Sequence, residues 1–202
     1  MFARTGILLV VSGPSGSGKT TLCRQLADAG EVHYSISCTT RAPRPGEECG
    51  RDYHFLGKQD FAQRLEAAHF LEHAVVHGNL YGSLKSEVLS YLQAGTDVVM
   101  DIDVQGADQI RACPDPEIQQ AFVDLFVMPP SEQELHARLS GRGTDAPEII
   151  ELRMRNALEE MRHWPRYSHL LLSSTREQDV SKFQALVIAE RLRVSRISKD
   201  QV

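Results

Sequence analysis

Apolar positions fall along this chain in two rhythms. Continuous apolar runs mark Ile7–Val11, Asp97–Asp103, Phe122–Met128 and His169–Leu172, and these predict buried strands. Between them the apolar residues recur every three to four positions. That spacing predicts helices from Thr21 to about Ala29, over Lys85–Gln93 and over Val104–Ala112, the last stopped by Pro114. Ser131, with Glu134 three residues on, predicts a helix start after Pro129-Pro130, and that helix should end at Gly141. Ile150, Met154, Ala157, Leu158 and Met161 line one face of another helix. Gln178–Val194 reads as a closing helix, and the tail beyond Ile197 as frayed.

Strands alternating with helices predict an α/β fold with a parallel sheet covered on both faces. Residues 34–84 break that rhythm. Val32–Ser37 reads as a short strand, residues 41–52 as a loop rich in proline and glycine, and Tyr53–Phe55 as another short strand. Lys58–Ala68 reads as a helix, with Phe61 and Leu65 on one face. Phe70–His77 and Leu80–Ser83 flank a Gly78-Asn79 turn and read as a hairpin. The whole stretch is predicted to be a subdomain inserted over the functional site.

Composition narrows the class. The 202 residues are 42% hydrophobic and 24% charged, ordinary for one soluble globule. The formal net charge of −5 argues against nucleic-acid binding, which needs a basic face. No apolar run approaches the ~18 residues that span a bilayer, and no apolar leader precedes the first strand. Cys23, Cys38, Cys49 and Cys113 show no metal-binding spacing and read as free thiols. The reduced cytoplasm, where ATP and Mg²⁺ are found, is the expected compartment.

The strongest local signal is Gly13-Pro14-Ser15-Gly16-Ser17-Gly18-Lys19-Thr20, set between the first strand and the first helix. It fits G-x-x-x-x-G-K-[ST] in the strand–loop–helix context of a phosphate-binding loop. Its glycines let successive N–H groups converge on one anion, and the helix dipole adds to that field. Lys19 is expected at the β- and γ-phosphates, and the Thr20 hydroxyl on Mg²⁺. Asp101 and Asp103 end the third core strand, at the edge where α/β sheets bind ligands. Asp101 is expected to hold Mg²⁺ through its water shell. Asp103 could face the metal, face a second substrate, or cap the next helix.

The 41–52 loop carries three arginines in eleven positions, Arg41, Arg44 and Arg51. Arg41 and Arg44 flank prolines, so two planar donor forks sit on a stiff backbone suited to a phosphomonoester. A solvated basic turn is the competing reading. Tyr53 could be a core aromatic or a phosphate-binding hydroxyl. Glu72 lies within the apolar stretch Phe70–Ala74, and a carboxylate buried there needs partners.

These motifs resemble guanylate kinase, a P-loop nucleoside monophosphate kinase family. The resemblance rests on Gly13–Thr21, Ser37–Glu47, Gly50–Tyr53, Phe70–Glu72, Gly78–Ser83, Asp101–Gly106 and Arg138–Gly143, in family order from about 7 to 175. It implies a P-loop kinase core at 1–33, 85–137 and 155–202, a GMP-binding subdomain at about 34–84 and a lid at about 138–154. It implies that Gly13, Pro14, Ser15, Gly16, Ser17, Gly18, Lys19, Thr20 and Thr21 hold ATP. Arg41, Arg44, Tyr53 and Tyr81 would hold the GMP phosphate, with Glu47 and Asp103 in the same site. Glu72 would accept from guanine N1–H and the 2-amino group, with Ser37 and Ser83 completing the base site. Lys19, Arg138, Arg142 and Arg153 would serve the transferred phosphoryl group, with Thr20 and Asp101 on Mg²⁺. Without the resemblance, Arg138 and Arg153 read as solvated helix faces.

The implied activity is ATP + GMP ⇌ ADP + GDP, with dGMP a further acceptor. Two other readings stand beside it: a sugar-phosphate kinase of the same P-loop group, and a non-catalytic binding module of guanylate-kinase-like shape. Intact Lys19, Thr20 and lid arginines argue against the module. Glu72 with Ser37 and Ser83 argues against the sugar-phosphate kinase. One departure is visible: Ser173-Ser174 stands where the family usually has Asn-Asp near the donor base. Serine is shorter, so looser adenine selectivity is expected.

Overall fold

A computed structural model describes residues 2–76, 78–141 and 147–199. Strand β1 is Phe2–Arg4, β2 is Leu8–Ser12, and α1 is Lys19–Asp28. Next come β3 (His33–Tyr34), β4 (Cys38–Thr39), β5 (His54–Phe55), α2 (Lys58–Glu66), β6 (Phe70–Val76) and β7 (Asn79–Leu84). The chain continues with α3 (Lys85–Gln93), β8 (Val98–Asp101), α4 (Val104–Arg111), α5 (Pro116–Ala121) and β9 (Phe122–Met128). It closes with α6 (Glu132–Ser140), α7 (Pro147–Met161), β10 (His169–Leu172), α8 (Arg176–Arg191) and β11 (Ile197–Lys199).

The apolar runs become the strands of a five-stranded sheet ordered β10-β9-β2-β8-β3, with every pairing parallel. β2 sits at its centre and is buried along its length. Burial on both faces explains why its sequence is continuously apolar rather than alternating. Leu9, Val11, Val99 and Leu125 pack with α1 and α8 on one face, through Leu22, Leu26, Phe183 and Val187. Leu8, Val10, Val98 and Met100 pack with α3, α4 and α5 on the other. This two-layer cover is the predicted α/β architecture.

The inserted segment forms its own four-stranded sheet, ordered β5-β4-β7-β6. The predicted hairpin is β6 and β7, antiparallel, with an irregularity between Phe70 and Glu72. The strand expected over Val32–Ser37 is divided between the two sheets. His33–Tyr34 pairs β8 of the core, whereas Cys38–Thr39 pairs β7 of the subdomain. The chain leaves one sheet for the other at this point, so no continuous strand can form. Glu87 on α3 faces His33 at 3.4 Å and His54 at 3.6 Å, linking core and insert.

Three further differences have physical causes. The strand expected to run to Asp103 stops at Asp101, because Asp103 turns to cap α4. Helix α5 is too short for the apolar rhythm to mark it, although Asp115 caps it and Pro116 opens it. The tail is not frayed at Ile197–Lys199, which pairs antiparallel with Phe2–Arg4. Arg196 is buried just before it, donating to Glu190 at 2.8 Å and to the Gln120 carbonyl at 2.7 Å. Buried Asp97 anchors the same end, accepting from Ile7 N–H, Arg4 and Arg191.

Candidate active site

The glycine loop leaves β2 at the carboxyl edge of the sheet and enters α1. A Cβ on Gly13 would lie 2.4 Å from the Val127 carbonyl, so only glycine lets the loop pass β9. Gly18 stands at the helix start with φ 94° and no side-chain cap. The first N–H groups of α1 therefore have no capping side chain from Gly18, the arrangement that suits an anion. A polar cavity of about 190 Å³ is lined there by Ser15, Gly16, Gly18, Lys19, Thr20 and Thr21.

Asp101 ends β8 beside this cavity. Its carboxylate accepts a hydrogen bond from the Thr20 hydroxyl and lies 3.8 Å from Lys19 Nζ. Thr20 and Asp101 thus present only oxygen donors, the hard set that suits Mg²⁺ when phosphate and water complete its shell. Among the described residues, no group of three or more His, Cys, Asp or Glu side chains could hold a metal by itself. Asp103 points otherwise: its Oδ1 accepts from Gly106 N–H at 2.8 Å and caps α4.

A second cavity, of about 290 Å³, continues from the loop. It shares Gly16, Gly18 and Thr21 and extends to Arg138, Ser173, Ser174, Arg176 and Asp179. Ser173 and Ser174 are drawn onto Asp179, whose carboxylate accepts the Ser173 hydroxyl at 2.8 Å and the Ser174 N–H at 2.9 Å. No spacing pattern singled out Arg176 or Asp179; both join the site through the start of α8. Arg138 on α6 reaches the loop, donating to the Ser17 carbonyl at 3.5 Å while pairing Glu134 at 3.0 Å. Arg153 is partly buried on α7. Arg142 lies outside the described residues.

On β6, Glu72 is 5% exposed. Its Oε1 accepts the Ser83 hydroxyl at 2.7 Å, and Ser83 lies 3.2 Å from the Ser37 hydroxyl. Three predicted residues from β6, β7 and the β3–β4 link thus form one hydrogen-bonded row. Burial pushes the Glu72 carboxyl above the usual range; the Ser83 hydroxyl opposes this and the Asp103 charge adds to it. Room for the carboxylate comes from Gly106, where a Cβ would lie 2.9 Å from Glu72 Oε2.

The arginine loop is tied rather than loose. Arg41 donates to Glu47 at 2.9 Å and to the Tyr81 hydroxyl at 3.3 Å, and its guanidinium lies 5.4 Å from the Tyr53 ring centre. Tyr53 and Tyr81 meet edge-on at 5.8 Å. Glu47 also accepts from Arg44 N–H at 2.7 Å, which closes the turn around Pro43 and Pro45. The Arg41 hydrogen bond, followed by the Arg44 N–H, holds the Glu47 carboxyl below its ordinary value. Arg44 is exposed. Thus Arg41, Glu47, Tyr53 and Tyr81 converge, and Arg44 borders them.

Glu160 of α7 is a further carboxylate at the loop that no motif marks. Burial raises its pKa, Lys19 opposes the rise, Asp103 adds to it, and the Ser15 N–H hydrogen bond also opposes it.

The likeness to known proteins extends over nearly the whole chain. The sequence profile of the guanylate kinase family matches residues 5–190. Guanylate kinase of Chromohalobacter salexigens is 42% identical over 196 residues, covering 96% of this chain and 89% of that protein. Guanylate kinase of Clostridium perfringens is 40% identical over 196 residues, covering 96% and 88%. The crystal structure of guanylate kinase from Anaplasma phagocytophilum superposes with a TM-score of 0.78 at 28% identity, covering 98% of this chain and 92% of that one. With the match spanning phosphate loop, insert and sheet alike, this chain belongs to the guanylate kinase family.

Proposed function

We propose that this chain transfers the γ-phosphoryl group of ATP to GMP, giving ADP and GDP, with dGMP as a further acceptor. The observation that carries this reading is the hydrogen-bonded Ser37–Ser83–Glu72 row, with Ser83 and Glu72 buried, in a chain whose phosphate-loop Thr20 is hydrogen-bonded to Asp101. Gly13–Thr21 hold the donor phosphates. Arg41, Arg44, Tyr53 and Tyr81 hold the acceptor phosphate, with Glu47 fixing Arg41. Asp103 borders the base side while it caps α4.

Guanine offers two adjacent donors, N1–H and the 2-amino group, that match a carboxylate. Adenine offers a lone pair at N1 and no 2-amino group, so Glu72 would stay buried and unpaired. That mismatch supports roughly 10²–10⁴-fold rejection of AMP.

For transfer, an oxygen of the GMP phosphate attacks the γ-phosphorus while the bond to the β,γ-bridging oxygen breaks and ADP departs. The acceptor is already an anion, so no general base is required of the protein. Lys19, Arg138, Arg142 and Arg153 offset charge on the γ-phosphate oxygens. Mg²⁺, held by Thr20 and Asp101 partly through water, would neutralise the β- and γ-oxygens when bound. Closure of the 138–154 segment would exclude water and limit ATP hydrolysis. Among the described residues no helix is long and apolar enough to cross a membrane. We propose the cytoplasm as the compartment.

A coupled ADP-release assay with GMP, dGMP, AMP, UMP and ribose bisphosphate tests the proposal. GMP should be turned over at least a hundredfold more efficiently than AMP. Equal efficiency with GMP and AMP would overturn it, and preference for ribose bisphosphate would favour the sugar-phosphate reading.

A further inference from the structure

We propose that Gln109 is a positioning residue for acceptor recognition: its side-chain amide acts as a strand partner for β6 and sets the register of Glu72. The inference rests on the reading of Glu72 as the guanine-binding carboxylate. It concerns what holds that carboxylate in place.

β6 is the end strand of the subdomain sheet, so only one of its edges is paired, by β7. The other edge carries backbone groups that need partners. Gln109 supplies them at His73, the residue after Glu72. Gln109 Oε1 accepts His73 N–H at 3.0 Å, and its Nε2 donates to the His73 carbonyl at 2.7 Å. A primary amide pairs with a peptide as a neighbouring strand would, one donor and one acceptor on each side.

The position matters because the β7 side is irregular there. The pairing shifts between Phe70 and Glu72, leaving Leu71 outside the regular ladder. A shift of one residue would turn Glu72 to the opposite face. The bulge leaves the ladder before Glu72 discontinuous, so the second edge can contribute to its register. Leu71, buried against the α4 side of the core, gives the same stretch an apolar anchor.

Gly106 lies one turn before Gln109 on the same face of α4. There the hypothetical Cβ distances are 2.9 Å to Glu72 Oε2 and 3.2 Å to Ile102 Cδ1. Asp103, capping at Gly106 N–H, fixes the start of that helix. One helix face therefore does two things: Gly106 makes space for the carboxylate, and Gln109 grips the backbone beside it. The grip also joins a core helix to the inserted subdomain.

The test is steady-state kinetics of Gln109→Ala and of Gln109→Met, which keeps length and bulk without the amide. Each is measured alone and combined with Glu72→Gln. The expected result is a rise of about tenfold in KM for GMP and a comparable fall in the GMP-to-AMP efficiency ratio, with KM for ATP unchanged. In the Glu72→Gln background, Gln109→Met should change that ratio less than twofold, because the two act through one group. Unchanged KM for GMP in Gln109→Met, or a full further loss in the combined variant, overturns the inference. If Glu72→Gln alone keeps full discrimination, the base-reading role of Glu72 fails instead, so the two failures are distinguishable. Should Gln109→Ala not fold, Gln109→Met carries the same comparison.

Discussion

The two halves of this site are built by opposite means. In the proposed reading, the donor half is framed by backbone at the ends of buried parallel strands, a loop from β2 and the first turn of α1, and carries the Lys19, Thr20 and Asp101 side chains on that frame. The acceptor half is made of side chains brought together from β6, β7, the β3–β4 link and the 41–53 loop, on a sheet whose β4 and β5 are two residues long. Backbone held by a packed core keeps its geometry without a ligand. Side chains on a small sheet need one another: Arg41 needs Glu47, Glu72 needs Ser83, and β6 needs Gln109. The donor half should therefore respond to mutation with loss of rate, and the acceptor half with loss of selectivity and affinity.

The largest effect should come from Lys19→Met, which removes the cation of the donor half. A fall of about 10³-fold in kcat is expected, with GMP binding measured by calorimetry kept within a few fold. Loss of GMP binding in that variant would show that the halves are not separable.

Next is Arg41→Ala, which removes the guanidinium from Glu47 and Tyr81 together. KM for GMP should rise about a hundredfold while KM for ATP stays within twofold, as fits loss of a charge-assisted phosphate contact. An equal rise in both would break the division.

Smaller is a pH effect confined to the acceptor half. The Glu72 carboxyl lies above its unfolded value because of burial. Its stabilising contribution is present at low pH and is lost as pH rises through the folded pKa. Guanine donors favour the ionised form, so GMP binding should weaken as pH falls through the raised pKa and release a proton in that window. Calorimetry in two buffers of different ionisation enthalpy measures this. ATP binding should show no such dependence on Glu72, and proton uptake with GMP would contradict it.

The smallest effect concerns donor choice. Ser173 and Ser174 are occupied with Asp179, so they read the donor base weakly. GTP should replace ATP with less than about a tenfold loss of efficiency. A loss beyond a hundredfold would show that the cavity at Arg176 and Asp179 reads adenine closely.

The same contrast explains what was legible in the sequence. The donor half could be read because a continuous apolar run and fixed glycine spacing are local properties of the chain, as at Ile7–Thr20. Arg41, Arg44 and Glu72 stood out by their local setting, but a shared acceptor role came only through resemblance, because Arg41, Glu72 and Tyr81 are joined by a fold that no spacing describes. Gln109 and Glu160 stayed silent: on a helix they are two polar positions among many. The β1–β11 pairing joins the chain's two ends, which no local pattern can announce, and the break at Ser35–Ser37 depends on which sheet takes each half. Asp115-Pro116 was a readable helix start that the apolar rhythm alone did not bring out.

The most direct test of a guanine-reading carboxylate at Glu72 is the ratio of kcat/KM for GMP to that for AMP, in the wild-type chain and in Glu72→Gln. A wild-type ratio of at least about a hundred, collapsing toward unity in Glu72→Gln with KM for ATP unchanged, is the expected result. A Glu72→Gln enzyme that keeps full GMP efficiency and full rejection of AMP would contradict it.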